Sequence, residues 1–224
     1  MKRPLVNKIF ILSAVLITGC TNASKPTTNN ATAKRPDSVK QTTRNIVANT
    51  NDDSVKLTKL VRDIYKWHET KHLEKDGFKP QKSNPTDTLF TGIDLIENEE
   101  AIKELRNTGF FADDFLNDYR NIAVRMDKEL RDGSSLWPEG EMPTFDTDAD
   151  VWCNCQDSPD KYWEKLTLAD IKFNKSEVSF KWTWGDNFYY KAKAKKEDSA
   201  WKISYLEGFD MNAYDWGWWK KNKK

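Results

Sequence analysis

The chain has 224 residues, with 36 Lys and Arg against 35 Asp and Glu and a formal net charge of +1. That balance argues against a dedicated nucleic-acid surface or a polybasic lipid-binding surface, since both need a strong positive excess. Aromatic residues make up 12% of the chain, so a sizeable core is available.

Lys2, Arg3 and Lys8 open the chain, and Ile9 to Thr18 follow as an apolar run. That run is too short for the roughly 20 residues of a membrane-spanning helix. Small residues, Thr18 and Gly19, then stand immediately before Cys20. The segment resembles a bacterial lipoprotein signal. The resemblance implies removal of residues 1–19, acylation of Cys20 and a membrane partner reached through the lipid, because several acyl chains together hold a soluble domain on a bilayer. Thr21, rather than Asp, follows the cysteine, which leans toward an outer membrane facing the periplasm if the host is Gram-negative. Losing three of the 36 basic residues with the leader leaves 33 against 35, so the mature chain stays close to neutral.

Residues 20–52 are dominated by Thr, Asn, Ser, Lys, Ala and Pro. Such a composition buries too little apolar surface to offset chain entropy and reads as a flexible tether from Cys20. Residues 53–224 then form one domain. Asp52, Asp53 and Ser54 offer helix N-caps, and Val55, Leu57, Leu60, Val61, Ile64, Tyr65 and Trp67 recur at helical spacing toward Lys75, with Gly77 as the stop. Lys79 to Asp87 reads as a loop. Leu89 to Leu105 reads as helical structure broken in the middle, and Ala112 to Leu130 as a third amphipathic helix ending at Gly133. Pro138 to Pro159 is irregular and long enough to be functional.

Beyond that loop the period changes to two. Leu166 to Phe173, Val178 to Trp184, Phe188 to Ala194 and Trp201 to Leu206 read as strands joined by short polar turns. The fold class is therefore α+β, N-terminal helices packed on a curved antiparallel sheet of about four strands. Trp182 and Trp184 share a strand face and read as core. Trp216, Trp218 and Trp219 fit a core or a binding surface equally, and Lys220 to Lys224 read as a solvated tail.

Three local patterns carry chemistry. His68-Glu69-Thr70-Lys71-His72 is a literal H-E-x-x-H on a helix, in which two imidazoles one turn apart hold Zn²⁺ and the Glu activates water. Glu99 is a nominal third ligand, and a zinc-dependent hydrolase is the alternative reading. Lys66, Lys71 and Glu74 around the motif, and the good fit of the same helix as an amphipathic core element, favour solvated histidines without metal. Asp146, Asp148, Asp150 and Asp157 fall at positions one, three, five and twelve of a calcium-type loop. Val151 occupies the turn position that requires Gly, so a solvated acidic turn is favoured. Cys153 and Cys155 sit one residue apart in a chain bound for an oxidising compartment, which leaves a loop disulfide and unpaired thiols both open. No phosphate-binding loop or nucleophile pattern calls for a cofactor.

Leu60 to His68, Asp150-Val151-Trp152-Cys153-Asn154-Cys155-Gln156-Asp157 and Ala200 to Leu206 together resemble the domain of unknown function 3828 family, with His68 standing where its opening helix carries an aromatic. The resemblance spans about residue 55 to 210. It implies a cone-shaped fold of the nuclear-transport-factor-2-like or cystatin-like kind, in an exported and often lipid-anchored bacterial protein, some relatives being linked to toxin immunity. In such cones a cavity lies between the first helix and the sheet. The expectation is then a non-enzymatic module that binds a protein or small ligand near that opening. Trp152, Gln156 and Asp157 would be contacts, with Trp67 and Trp182 as walls, and nucleic acid would not be a partner. A purely structural role, with Gln156 and Asp157 pinning the loop to the sheet, is favoured over contact.

Overall fold

The computed structural model describes residues 38–71, 77–140, 149–185 and 187–210, with side chains from Asn51 onward. Helix α1 runs Ser38–Lys71, β1 is Pro80–Gln81, β2 Leu89–Phe90, β3 Gly92–Ile93, α2 Leu95–Asn107, α3 Asp113–Arg131 and β4 Trp137–Pro138. The four long strands follow as β5 Thr167–Asn174, β6 Glu177–Gly185, β7 Phe188–Glu197 and β8 Ala200–Leu206. They form one antiparallel sheet in the order β5-β6-β7-β8, which makes the fold α+β.

Helix α1 begins inside the segment read as tether, fourteen residues before Asp52. Nothing between Asp37 and Asp76 breaks a helix, since neither Gly nor Pro occurs there. The expected N-cap residues are therefore internal, and they work through their side chains instead. Asp53 accepts hydrogen bonds from Trp201 Nε1 at 3.0 Å and Lys196 Nζ at 2.9 Å, which fastens α1 to the far side of the sheet. Burial along α1 follows Leu57, Val61, Ile64 and Tyr65, one stripe at helical spacing.

The region from Leu89 to Ile93 corrects the sequence reading, being two short strands rather than helix. β3 pairs with β1 and β2 with β4. The Ile93 N–H donates to Asp127 Oδ1 at 2.9 Å, so it is committed before a helix could use it. Helix α2 starts two residues later at Leu95, capped by the Asp94 side chain, which accepts from the Ile96 and Glu97 N–H groups. Helix α3 matches its expected limits. Asp113 and Asp114 stand in its first turn, where carboxylates complement the helix dipole, and Gly133 follows its end at φ 69°.

Strand alternation separates two faces. Val178, Phe180, Trp182, Tyr190, Ala192, Ala194, Trp201 and Ile203 are buried beneath α1 and α3. Ser179, Lys181, Lys191, Lys193 and Lys195 point the other way. The outer edge of β8 is covered in part by Phe110 to Ala112: the Ile203 N–H donates to the Phe110 carbonyl and the Ala112 N–H to the Ile203 carbonyl, each at 2.8 Å.

Candidate functional site

The inner face is closed by rings. Tyr65 lies 4.5 Å from Trp182, Tyr190 5.2 Å from Trp182, and Tyr162 5.9 Å from Tyr65. Where a cone would have its cavity between the first helix and the sheet, these side chains meet. Trp182 is completely buried, and its indole N–H meets the geometric criteria for a hydrogen bond with no partner among the described residues. Trp184 is half-buried and stacks on Phe188 at 3.9 Å.

The loop from Asp150 to Cys155 is driven into the same core. Trp152 retains 7% exposure, T-shaped against Trp67 at 6.2 Å and Phe209 at 5.0 Å, and stacked on His68 at 4.8 Å. Its backbone is held from three sides. Tyr65 donates to the Trp152 carbonyl at 2.6 Å, Tyr190 donates to the Val151 carbonyl at 2.8 Å, and the Trp152 N–H donates to Asp150 Oδ1 at 2.9 Å. Gly208 completes the fit: a Cβ there would meet the Val151 carbonyl oxygen at 1.7 Å, so only glycine lets the two backbones approach. Cys153 and Cys155 form a disulfide across Asn154, whose φ of 53° is one that Asn tolerates better than most residues.

His68 Nε2 sits 3.4 Å from Asp150 Oδ2. Burial pushes the Asp150 carboxyl up, but its bonds from His68 and from the Trp152 N–H prevail and hold it below the usual carboxylate value. Of the remaining zinc-motif groups, Glu69 accepts from the Tyr162 hydroxyl at 2.9 Å, and Glu99 is forked onto Arg120 on α3. That fork holds the Glu99 carboxyl below its usual value. His72 lies outside the described residues. Among the described residues no group of three or more His, Cys, Asp or Glu is arranged to hold a metal ion.

Gln156 and Asp157 are exposed, and the bonds that pin the loop come from Asp150, Tyr65 and Tyr190 instead. Trp67 is half-buried beside Trp152, Phe110 and Phe111. Asp150, at position five of the calcium-type loop, is spent on His68 and Trp152. Asp146 and Asp148 lie outside the described residues, as do Cys20, the apolar leader, and Trp216, Trp218 and Trp219 with the lysine tail. Among the described residues no helix is long and apolar enough to cross a membrane.

Sequence reasoning passed over the opposite face of the sheet. Register pairs Lys172 with Ser179, Ser179 with Lys193, and Lys193 with Tyr205, so these four side chains make one row across all four strands. Two adjoining grooves of about 400 Å³ and 320 Å³ share that row. The signal was present in Lys191-Ala192-Lys193-Ala194-Lys195, whose alternation puts small residues inside and cations outside.

Compared with models of protein families, with curated proteins and with solved structures, the chain finds no match.

Proposed function

We propose that this chain is a lipid-anchored envelope protein that acts by binding rather than by catalysis. The observation that carries the reading is the use made of its reactive groups. His68 is stacked on Trp152 and bonded to Asp150, Glu69 takes the Tyr162 proton donor, and Glu99 is held by Arg120. Each spends its hydrogen-bonding capacity on holding the loop or the helices. A zinc hydrolase would need His68 and Glu69 turned to a metal-bound water, with a third ligand free. Meanwhile the outer sheet face offers grooves, with polar side chains converging on them.

The anchor rests on Thr18-Gly19-Cys20 after the apolar run, and places the domain in the envelope, on an outer membrane facing the periplasm if the host is Gram-negative. Toxin immunity is one form of such binding that the family resemblance suggests. Two measurements test the reading. Cys20→Ser is expected to abolish lipid labelling and shift the protein out of the membrane fraction; an unchanged, labelled membrane pool defeats the anchor. Metal analysis of purified protein is expected to give the same sub-stoichiometric zinc in wild type and in His68→Ala. One zinc per chain, lost in that variant, would instead establish the hydrolase site.

A further inference from the structure

The outer face sorts its charges in an unusual way. Lys181 is paired with Asp170 at 2.8 Å, Lys191 with Glu207 at 2.5 Å, and Lys195 with Asp114 at 2.9 Å. Lys172 and Lys193, between them, have no carboxylate within 4.0 Å among the described residues, although Lys193 Nζ lies 4.9 Å from the Tyr205 ring centre. Asp118 on α3 lines the larger groove with both lysines and is likewise without an ion pair among the described residues. Burial, then Asp114 and Asp210 nearby, raise its carboxyl above the usual value, as expected of an acid lacking a cation. One groove is thus lined by two lysines and a carboxylate that form no ion pair among the described residues.

The two grooves differ in sign. Asp114, Asp118 and Glu177 border the larger one beside Lys172 and Lys193. The smaller has Lys181 and Lys191 in addition to the shared pair, against Asp170 and Asp210. The shared row therefore stands between an acidic end and a basic end. At strand spacings near 4.8 Å, Lys172 and Lys193 start about 10 Å apart on either side of Ser179, within reach of one group lying above the hydroxyl. Three donors from two ammonium groups and a hydroxyl suit a tetrahedral oxyanion better than a flat carboxylate. Lysine also serves phosphate as a point charge, whereas carboxylate recognition favours the planar fork of arginine.

We propose that this cleft binds a small zwitterion of the phosphate-and-amine class, its phosphate over Lys172, Ser179 and Lys193 and its amine toward Asp118. A free phosphorylated amino alcohol and a zwitterionic lipid headgroup share that chemistry. The inference deepens the binding reading given above. It is tested on different residues, so its failure leaves the anchoring and metal results standing.

The test uses the full chain carrying Cys20→Ser, titrated with phosphoethanolamine, inorganic phosphate and ethanolamine separately and followed by amide chemical shifts. Phosphoethanolamine is expected to bind about tenfold more tightly than either fragment, since each tenfold gain needs only about 1.4 kcal/mol from a second charged contact. Lys172→Gln with Lys193→Gln is expected to abolish binding of phosphate and phosphoethanolamine. Asp118→Asn is expected to bring phosphoethanolamine down to the affinity of phosphate alone. Sedimentation with phosphatidylethanolamine vesicles separates the sources: co-sedimentation lost in the lysine variant assigns a headgroup, and its absence alongside soluble binding assigns a free ligand. Equal affinities for phosphate and phosphoethanolamine, indifference to Asp118→Asn, or no shift at the row up to roughly 10 mM would each overturn the proposal.

Discussion

The same four strands present two opposed chemistries. On one side Phe180, Trp182, Tyr190 and Trp201 lie beneath the helices, and their neighbours are rings and small alanines. On the other, alternating with them along β6 and β7, lie the half-buried Ser179 and Lys181 and the exposed Lys191 and Lys193. Burial of apolar area contributes about 25 cal/mol per Å² and is absent on the lysine side, while exposed ion pairs contribute little. Stability and recognition should therefore separate by face. Substitutions on the ring side should change unfolding, and those on the lysine side should change binding alone.

The sharpest break of that separation targets Trp152, the side chain that ties the loop to the inner face. Trp152→Ala removes ring contacts to Trp67, His68, Phe111, Phe115 and Phe209. It is expected to cost about 3–5 kcal/mol by denaturant titration, the range for truncating a buried aromatic. A cost under about 1 kcal/mol would mean that the loop is not part of the core.

Asp53 carries the corresponding electrostatic contact where α1 meets β7 and β8. Burial pushes its carboxyl up, but the bonds from Lys196 and Trp201 prevail and hold it below the usual value. A folded value below the unfolded one, near 3.9, supplies stability that is present above about pH 4 and lost as pH falls through the folded value. Asp53→Asn keeps an acceptor for Trp201 but gives up the charge. It is expected to cost about 1–2 kcal/mol near neutral pH, with the gap to wild type closing below pH 4. A gap that stays constant with pH would assign the effect to packing instead.

The disulfide is a smaller matter. Cys153 and Cys155 close a loop of three residues, so the bridge removes little freedom from the unfolded chain. Replacing both by Ser is expected to cost about 1–2 kcal/mol, with the Trp152 environment kept, as read by near-ultraviolet circular dichroism. Loss of that signal at low denaturant would show that the bridge, rather than Tyr65, Tyr190 and Gly208, positions the loop.

Legibility in the sequence divides along similar lines. The four strands and α3 announce themselves, because period and turn residues are local properties: Val178 to Trp184 alternates, and Gly133 stops a helix wherever it lies. The start of α1 and the short strands around Phe90 do not, since tertiary partners set them. Asp53 reads as a cap until Trp201 is known to lie above it, and Leu89 and Ile93 read as helical until Asp127 claims the Ile93 N–H. At the candidate site, Trp152 and the cysteines were conspicuous by type, yet nothing local tells a plug from a contact. That depends on Tyr65 and Tyr190, which are 87 and 39 residues away from the backbone groups they bind. The lysine row was hidden for the same reason: Lys172, Ser179 and Lys193 become neighbours only through register.

The smallest expected effect on stability is also the one that decides whether the two faces are independent. Lys172→Gln with Lys193→Gln alters exposed side chains that hold no ion pair among the described residues, at the cost of the Lys193 contact with the Tyr205 ring. Surface changes of this kind stay within about 0.5 kcal/mol, so the thermal midpoint should hold within a degree or two. A modest rise is the expected sign, because the row brings Lys193 beside Lys172 across a single intervening strand and close to the facing pair Lys181 and Lys191. Like charges on adjacent strand positions repel, and the repulsion is screened by salt. The rise should accordingly shrink as ionic strength climbs from about 0.01 to 0.15 M, over which the screening length falls from about 30 to 8 Å. A fall in the midpoint of several degrees, insensitive to salt, would mean that these lysines brace the sheet, and the division of labour between its faces would fail.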